Sequence, residues 1–238
     1  MRIAIVGGGP GGLFFALLTK KARPDWDIEV YEQNRPDDTF GFGVVFSDES
    51  LDEYESRDAE TYRRMREEFA YWDDIDIHYK GNVMKCRGNG FCGTSRVHLL
   101  NILHDRCRAL GVTLNFEVSI KPDELEQRFA DADLIVACDG INSAIREAHS
   151  GPDGFDVSVD VKSNRFCWMG STRPLTDFTF FFRETDHGVV CAHTYQYTRE
   201  RSTWVFEMSD ACWKGLGYDQ LDEQASASAL EALFAEEL

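Results

Sequence analysis

Gly7-x-Gly9-x-x-Gly12 constrains this chain more than any other stretch of its 238 residues. It follows Arg2-Ile3-Ala4-Ile5-Val6, a short β-branched run that reads as a buried strand. Leu13 to Ala22 then reads as a helix stopped before Pro24, and Trp26 to Tyr31 alternates as a second strand. Strand, glycine turn, helix and strand make a βαβ unit. Each glycine has a physical reason. Gly7 permits the tight turn, Gly9 lets a pyrophosphate approach the backbone, and Gly12 lets helix and strand pack closely. The helix N-terminus, with Pro10 in its first turn, offers free N–H groups and a positive dipole end to phosphates. Glu32, 20 positions after Gly12, stands where a carboxylate accepts from ribose hydroxyls. Its charge disfavours a 2′-phosphate, so FAD or NAD fits this turn better than NADP.

A second constellation runs from Asp133 through Leu134-Ile135-Val136-Ala137-Cys138 into Asp139-Gly140, with Ser143 and Arg146 beyond. An apolar strand here delivers Asp139 to its carboxyl end, where ligands of such sheets are held. Between the two motifs, Ile75 to Tyr79 alternates and Val83 to Arg87 is placed to pair with it across Lys80-Gly81-Asn82. Arg96 to Leu110 has helical spacing, with Thr94 or Ser95 as its cap and Gly111 at its end. From Phe155 to Met208 the texture changes to β-rich segments at 155–161, 165–170, 177–183, 188–197 and 202–208. The expected class is α/β. A Rossmann-like dinucleotide-binding domain is expected over 1–150, an antiparallel β-sheet region over 151–212, and the start of a helical segment over 213–238.

Charge excludes several partners. Forty-two acidic against 25 basic side chains give a net charge of −17, which phosphate backbones repel. The same balance gives no support to an anionic membrane surface, and no window is long and apolar enough to span one. The seven cysteines are odd in number and form no C-x-x-C, so the expected protein is reduced and cytoplasmic, with buried thiols. His98 and His104 are six apart without H-E-x-x-H, and no metal site is expected.

With both motifs in view, the chain resembles the FAD-dependent aromatic hydroxylases, the single-component flavoprotein monooxygenases. Arg96 fits their arginine at the start of the helix before the Asp-Gly strand. The string Asn34-Arg35-Pro36-Asp37-Asp38-Thr39-Phe40-Gly41-Phe42-Gly43-Val44-Val45-Phe46-Ser47-Asp48 looks like the loop after the second strand in salicylyl-CoA 5-hydroxylases and 2-aminobenzoyl-CoA monooxygenases. Trp72 to His78 looks like a later segment of the same enzymes. The resemblance implies flavin contacts at Gly7, Gly9, Pro10, Gly12, Glu32, Gly43, Arg96 and Asp139. Gly41 and Gly43 would let the backbone lie against the flavin ring; a plain glycine-containing surface loop is the alternative.

The same resemblance implies that NAD(P)H reduces FAD and that O2 supplies an oxygen atom to an aromatic ring, with an aryl-CoA thioester such as salicylyl-CoA as substrate. It singles out no catalytic side chain. Trp168, Phe178, Phe180 to Phe182, Tyr195, Tyr197 and Trp204 suit a pocket for an aromatic ligand and equally suit sheet packing. Within the β-rich part, His187 and His193 are open candidates for a bond to a phenol or amine. An anionic CoA ester needs local positive charge, for which Arg165, Arg173, Arg183, Arg199 and Arg201 are available. The resemblance makes 1–150 the FAD-binding domain and 151–212 the substrate region. The family carries a later Gly-Asp motif, and no Gly-Asp pair occurs here, so the chain is expected to be C-terminally truncated, with a naturally short member as the alternative. Two alternatives stay open: a hydroxylase of a free aromatic or indole compound, and a non-catalytic flavin-binding fragment.

Overall fold

The computed structural model describes residues 1–152 and 154–238. In chain order the strands are β1 (Arg2–Val6), β2 (Asp27–Tyr31), β3 (Gly43–Ser47), β4 (Ala70–Tyr79), β5 (Asn82–Ser95), β6 (Thr113–Asn115), β7 (Leu134–Ala137), β8 (Arg165–Ser171), β9 (Phe178–Thr185), β10 (Gly188–Thr198) and β11 (Arg201–Met208). The helices are α1 (Pro10–Ala22), α2 (Asp48–Arg57), α3 (Ala59–Glu68), α4 (Arg96–Leu110), α5 (Leu125–Arg128), α6 (Ala144–Ala148), α7 (Asp210–Gly215) and α8 (Glu223–Leu233). They form two compact units. One holds Met1–Phe40, Tyr54–Met65 and Val97–Asp160; the other holds Gly41–Glu53, Arg66–Arg96 and Val161–Leu238.

The first unit is built on a parallel sheet in the order β6-β2-β1-β7. Its central strand is the β-branched run of the N-terminus, with Ile3 and Ile5 fully buried as a covered parallel sheet requires. Helix α1 begins at Pro10, with Gly9 extended before it, and buries Leu13, Ala16 and Leu17 at helical spacing. Helix α4 buries Leu99, Leu100, Ile102, Leu103 and Cys107 in the same way. The cap positions expected at Thr94 and Ser95 lie at the end of β5, where Ser95 pairs with Gly43 directly before α4 begins.

Asp58 and His104 are both sealed inside this unit, with opposite solutions. Asp58 is inaccessible to solvent and precedes α3, accepting from the Thr61 backbone N–H and hydroxyl. Arg106 grips both its oxygens at 2.8 Å, and Lys21 Nζ reaches it at 3.0 Å. Burial alone would raise the Asp58 carboxyl, but these hydrogen bonds hold it well below the usual carboxylate range. His104 takes the other course. It is 2% exposed, stacks edge-on against Phe116, and neither ring nitrogen has a hydrogen-bond partner among the described residues. Burial, with the positive charge of Arg108, pushes its pKa down to about 4, so it is neutral at pH 7.

The second unit is a seven-stranded sheet in the order β3-β5-β4-β9-β10-β11-β8. All pairs are antiparallel except β4 with β9, where Ile75 lies beside Phe178. Phe181, Ala192, Trp204, Phe206 and Met208 turn to the face covered by α7 and α8, where Cys212, Leu230 and Phe234 complete the core. The linear division at residue 150 is not how the structure groups the chain. Residues 41–53 and 66–96 join the later sheet through the β4–β9 pairing, a long-range contact that local alternation does not encode. The strand expected over 155–161 is also absent; a single bridge between Ser150 and Phe155 is the only ladder contact there among the described residues.

Two outcomes follow for stability. Asp58→Ala should lower the unfolding free energy by about 3 kcal/mol in urea titrations, because it strands a partly buried Arg106 and removes a helix cap. Glu60→Ala, which breaks only the exposed pair with Arg63, should leave the midpoint unchanged. His104 has a folded pKa below its unfolded value, so the stabilisation of its neutral state is lost as pH falls through this window. His104→Leu should therefore remove about 2 kcal/mol of the stability difference between pH 7 and pH 4.5. An unchanged difference would contradict a neutral, buried imidazole.

Candidate functional site

The glycine turn of the first unit is held together by backbone lying on backbone. Gly7 has φ +109° and donates its N–H to the Tyr31 carbonyl at 2.8 Å. A Cβ on Gly7 would stand 2.2 Å from the Cys138 carbonyl oxygen, and one on Gly12 would stand 2.1 Å from the Gly7 carbonyl oxygen. Gly9 and Gly11 differ, since a Cβ there meets nothing within 4 Å. The motif therefore splits into two packing glycines and an open face at the N-terminus of α1. That open face, with the unpaired first-turn N–H groups of α1 behind it, fits a pyrophosphate.

Two carboxylates flank this turn. Glu32, just past β2, accepts from the Gly8 N–H at 2.7 Å through one oxygen and from the Asn34 backbone and side chain at 2.9 and 2.8 Å through the other. Gly8 itself is constrained, because a Cβ there would lie 2.8 Å from Glu32 Cβ. Sequence reasoning passed over Gly8; three glycines in a row were the available signal. Asp139 follows β7 and accepts from the Ser143 hydroxyl at 2.6 Å. Ser143 caps α6 through the Arg146 N–H at 2.9 Å, so the short helix fixes the carboxylate. The spacing of Asp139 and Ser143, four apart after an apolar strand, was visible without its purpose being legible. The first unit thus brings together Gly7, Gly9, Pro10, Gly12, Glu32 and Asp139.

Gly43 and Arg96 belong to the second unit. Gly43 opens β3, donates to the Thr203 hydroxyl at 3.1 Å and accepts from the Tyr195 hydroxyl at 3.0 Å. A Cβ there would lie 2.6 Å from Tyr197 Cβ, and one on Gly41 would lie 2.5 Å from the Trp168 ring. Both glycines are thus accounted for by packing on the sheet. The Arg96 N–H donates to the Phe42 carbonyl at 2.9 Å, which ties the start of α4 to the same loop.

On the sheet face opposite α7 and α8, register aligns Trp168, Val205, His193, Phe180 and Ile77 in one row. The His193 ring lies 4.9 Å from that of Phe180, and its Nε2 is 3.4 Å from Glu207. Burial lowers the His193 pKa and Glu207 raises it, with burial prevailing. His187 packs its ring against Gly215, and His78 packs on Phe181. Of the three, only His193 combines this aromatic row with a charged neighbour. No cluster able to hold a metal ion occurs among the described residues, and no helix there is long and apolar enough to cross a membrane.

No protein-family profile matches the chain. Over 243 aligned residues it is 39% identical to salicyloyl-CoA 5-hydroxylase of Streptomyces, covering 98% of this chain and 46% of that protein. It is 29% identical to protodeoxyviolaceinate monooxygenase of Chromobacterium violaceum, over 100% of this chain and 63% of that protein. A third relative, 28% identical, is 3-hydroxy-4-methyl-anthranilyl-[aryl-carrier protein] 5-monooxygenase of Streptosporangium sibiricum. The chain therefore spans about half the length of the curated relatives it matches. Among solved structures, 2-methyl-3-hydroxypyridine-5-carboxylic acid oxygenase superposes with a TM-score of 0.73 at 18% identity, over 98% of this chain and 64% of that one. PqsL of Pseudomonas aeruginosa, a probable FAD-dependent monooxygenase, gives 0.65 at 15% identity, over 97% and 70%. The chain has the fold of the FAD-dependent monooxygenases. The resemblance read from its motifs is borne out by these relatives, and so is the α/β class with its antiparallel sheet.

The split between packing and open glycines has a direct test. Gly12→Ala should cost about 3 kcal/mol or more, since backbone must move to admit the methyl group. Gly9→Ala should fold with an unchanged circular dichroism melt. Equal melts for both variants would contradict the close approach at Gly12.

Proposed function

We propose that this chain carries the FAD-binding and ring-binding parts of a monooxygenase. The enzyme hydroxylates an aromatic ring presented as a thioester, with NAD(P)H as electron donor and O2 as oxygen source. The observation that carries the reading is the open glycine cradle flanked by Glu32 and Asp139, in a chain 39% identical to salicyloyl-CoA 5-hydroxylase. FAD bound in that cradle would supply the redox chemistry, passing electrons from NAD(P)H and one oxygen atom from O2.

The chain's own residues bind, orient and shield. N–H groups of Gly9, Gly11 and Gly12, preset by Pro10, would receive the pyrophosphate. The Glu32 carboxylate, already held by Gly8 and Asn34, would accept from the adenosine ribose hydroxyls. Asp139, fixed by Ser143, would accept a hydrogen bond from the cofactor, and Gly43 and Arg96 are flavin contacts by resemblance alone. In the second unit the row of Trp168, His193 and Phe180 offers an apolar surface for an aromatic ring. His193 directs Nε2 at Glu207, which leaves Nδ1 to accept from a ring hydroxyl and enrich the ring in electrons. Excluding water beside these side chains protects the oxygen transfer.

A second reading keeps the chemistry and changes the substrate to a free ring compound. It is favoured by the protodeoxyviolaceinate monooxygenase relative, whose name carries no thioester. The test is NAD(P)H oxidation by purified full-length protein supplied with FAD, with product identified by mass. The first reading expects hydroxylation of salicyloyl-CoA and none of free salicylate. Turnover of free acids only would replace it with the second, and absence of any FAD uptake would overturn both.

A further inference from the structure

Five arginines of the β-rich segments stood as candidates to meet an anionic substrate, and the structure divides them. Arg165 is bound to Asp210 at 2.8 Å. Arg183 is bound to Glu236 at 2.8 Å and Glu237 at 2.7 Å. No carboxylate pairs with Arg173, Arg199 or Arg201 among the described residues. In a chain of net charge −17, where acidic partners abound, that is unexpected for three guanidiniums at one end of one sheet.

Their grouping is fixed by the fold. Arg199 and Arg201 occupy the turn joining β10 to β11, where Thr198 pairs with Arg201. Ser202 pairs with Ser171 at the end of β8, two residues before Arg173. The stretch after β8 is then fastened to that hairpin. The buried Ser202 hydroxyl donates to the Arg173 carbonyl at 2.6 Å, and Gln196 Oε1 accepts from the Leu175 N–H at 3.2 Å. The Arg173 N–H is held by Ser171 Oγ at 3.1 Å. Arg173 is half-buried and its backbone is immobilised beside the two exposed arginines. The carboxylate interspersed with them is Glu200, whose backbone N–H bonds Thr198 Oγ1 at 3.4 Å. The same hairpin seats the Gly41–Gly43 loop, through Thr203, Tyr195 and Tyr197.

We infer that Arg173, Arg199 and Arg201 form the anchor for the phosphate of a phosphopantetheine thioester, the handle that presents the ring. Arginine forks suit phosphate oxygens, and three arginines whose backbones the register brings to one corner, without a carboxylate partner among the described residues, are placed to receive them. The handle has two sources, coenzyme A and an aryl-carrier protein, and both names occur among the relatives. The inference rests on the proposed ring hydroxylation for its substrate class, but not for its binding chemistry.

The experiment uses the FAD-loaded full-length protein and a variant with Arg173→Gln, Arg199→Gln and Arg201→Gln together. The KM for salicyloyl-CoA should rise about 30-fold with kcat little changed, and the Kd of free CoA by calorimetry should rise by a similar factor. The KM for S-salicyloyl-N-acetylcysteamine, which has the thioester and no phosphate, should not move. Arg165→Gln should change none of these. Should the triple variant fail to fold, Arg201→Gln alone, at an exposed hairpin position, should raise the CoA Kd about threefold. Competition by adenosine 3′,5′-bisphosphate would identify coenzyme A as the source; competition by a phosphopantetheinylated carrier protein alone would identify the carrier. Thioester turnover with an unchanged KM in the triple variant overturns this inference and leaves the hydroxylase reading intact. Weakened CoA binding in a protein that turns over no aromatic substrate does the reverse.

Discussion

At the carboxyl end of β1, backbone packs on backbone with no side chain between. Gly12 lies against the Gly7 carbonyl, and Gly7 lies against the Cys138 carbonyl. This contact pins the start of α1, the end of β1 and the end of β7 to one point. It decides where Glu32 and Asp139 can stand, because each follows directly from a strand that ends there. It also frees the amides of the first turn of α1, since Gly9 and Gly11 project nothing into the space beside them. A side chain at either packing position would push those three segments apart and leave the carboxylates without their common centre.

The second unit solves a different problem. Its sheet has a filled face, where Trp204, Phe206 and Phe181 meet α7 and α8, and an aromatic face left to Trp168, His193 and Phe180. Strand alternation assigns each residue to one side, so a single register carries both core and candidate ring surface. The polar groups on the second face are few. The pair of His193 and Glu207 is the one that combines partial burial with charge. Among the described residues, Arg165 and Arg183 of this sheet are paired with carboxylates, whereas Arg173, Arg199 and Arg201 are not.

The parts of the fold legible in the sequence were those with local signals. The βαβ unit followed from a β-branched run, a glycine turn and helical spacing that ends before Pro24. All four later strands, β8 to β11, were visible through aromatic and β-branched alternation. The grouping of β3, β4 and β5 with them was hidden, because the β4–β9 pairing joins residues about a hundred positions apart and leaves no local trace. Residues 155–161 misled for the opposite reason: Phe155, Val157, Val159 and Val161 alternate like a strand but find, among the described residues, only the isolated bridge from Phe155 to Ser150. In the candidate site, Glu32 and Asp139 were legible from spacing. The Ser143 and Gly8 contacts that hold them were not, since a hydroxyl or a third glycine has no distinctive pattern until the chain closes around it.

On the proposed reading, the open glycine cradle receives the adenosine diphosphate half of FAD. Calorimetric titration of the full-length protein with FAD and with FMN tests it most directly, because FMN carries the flavin ring without the adenosine pyrophosphate. The account predicts one tightly bound FAD and at least about a hundredfold weaker FMN, with Gly9→Val abolishing the difference. Equal affinity for the two flavins would show that the cradle plays no part in holding the cofactor.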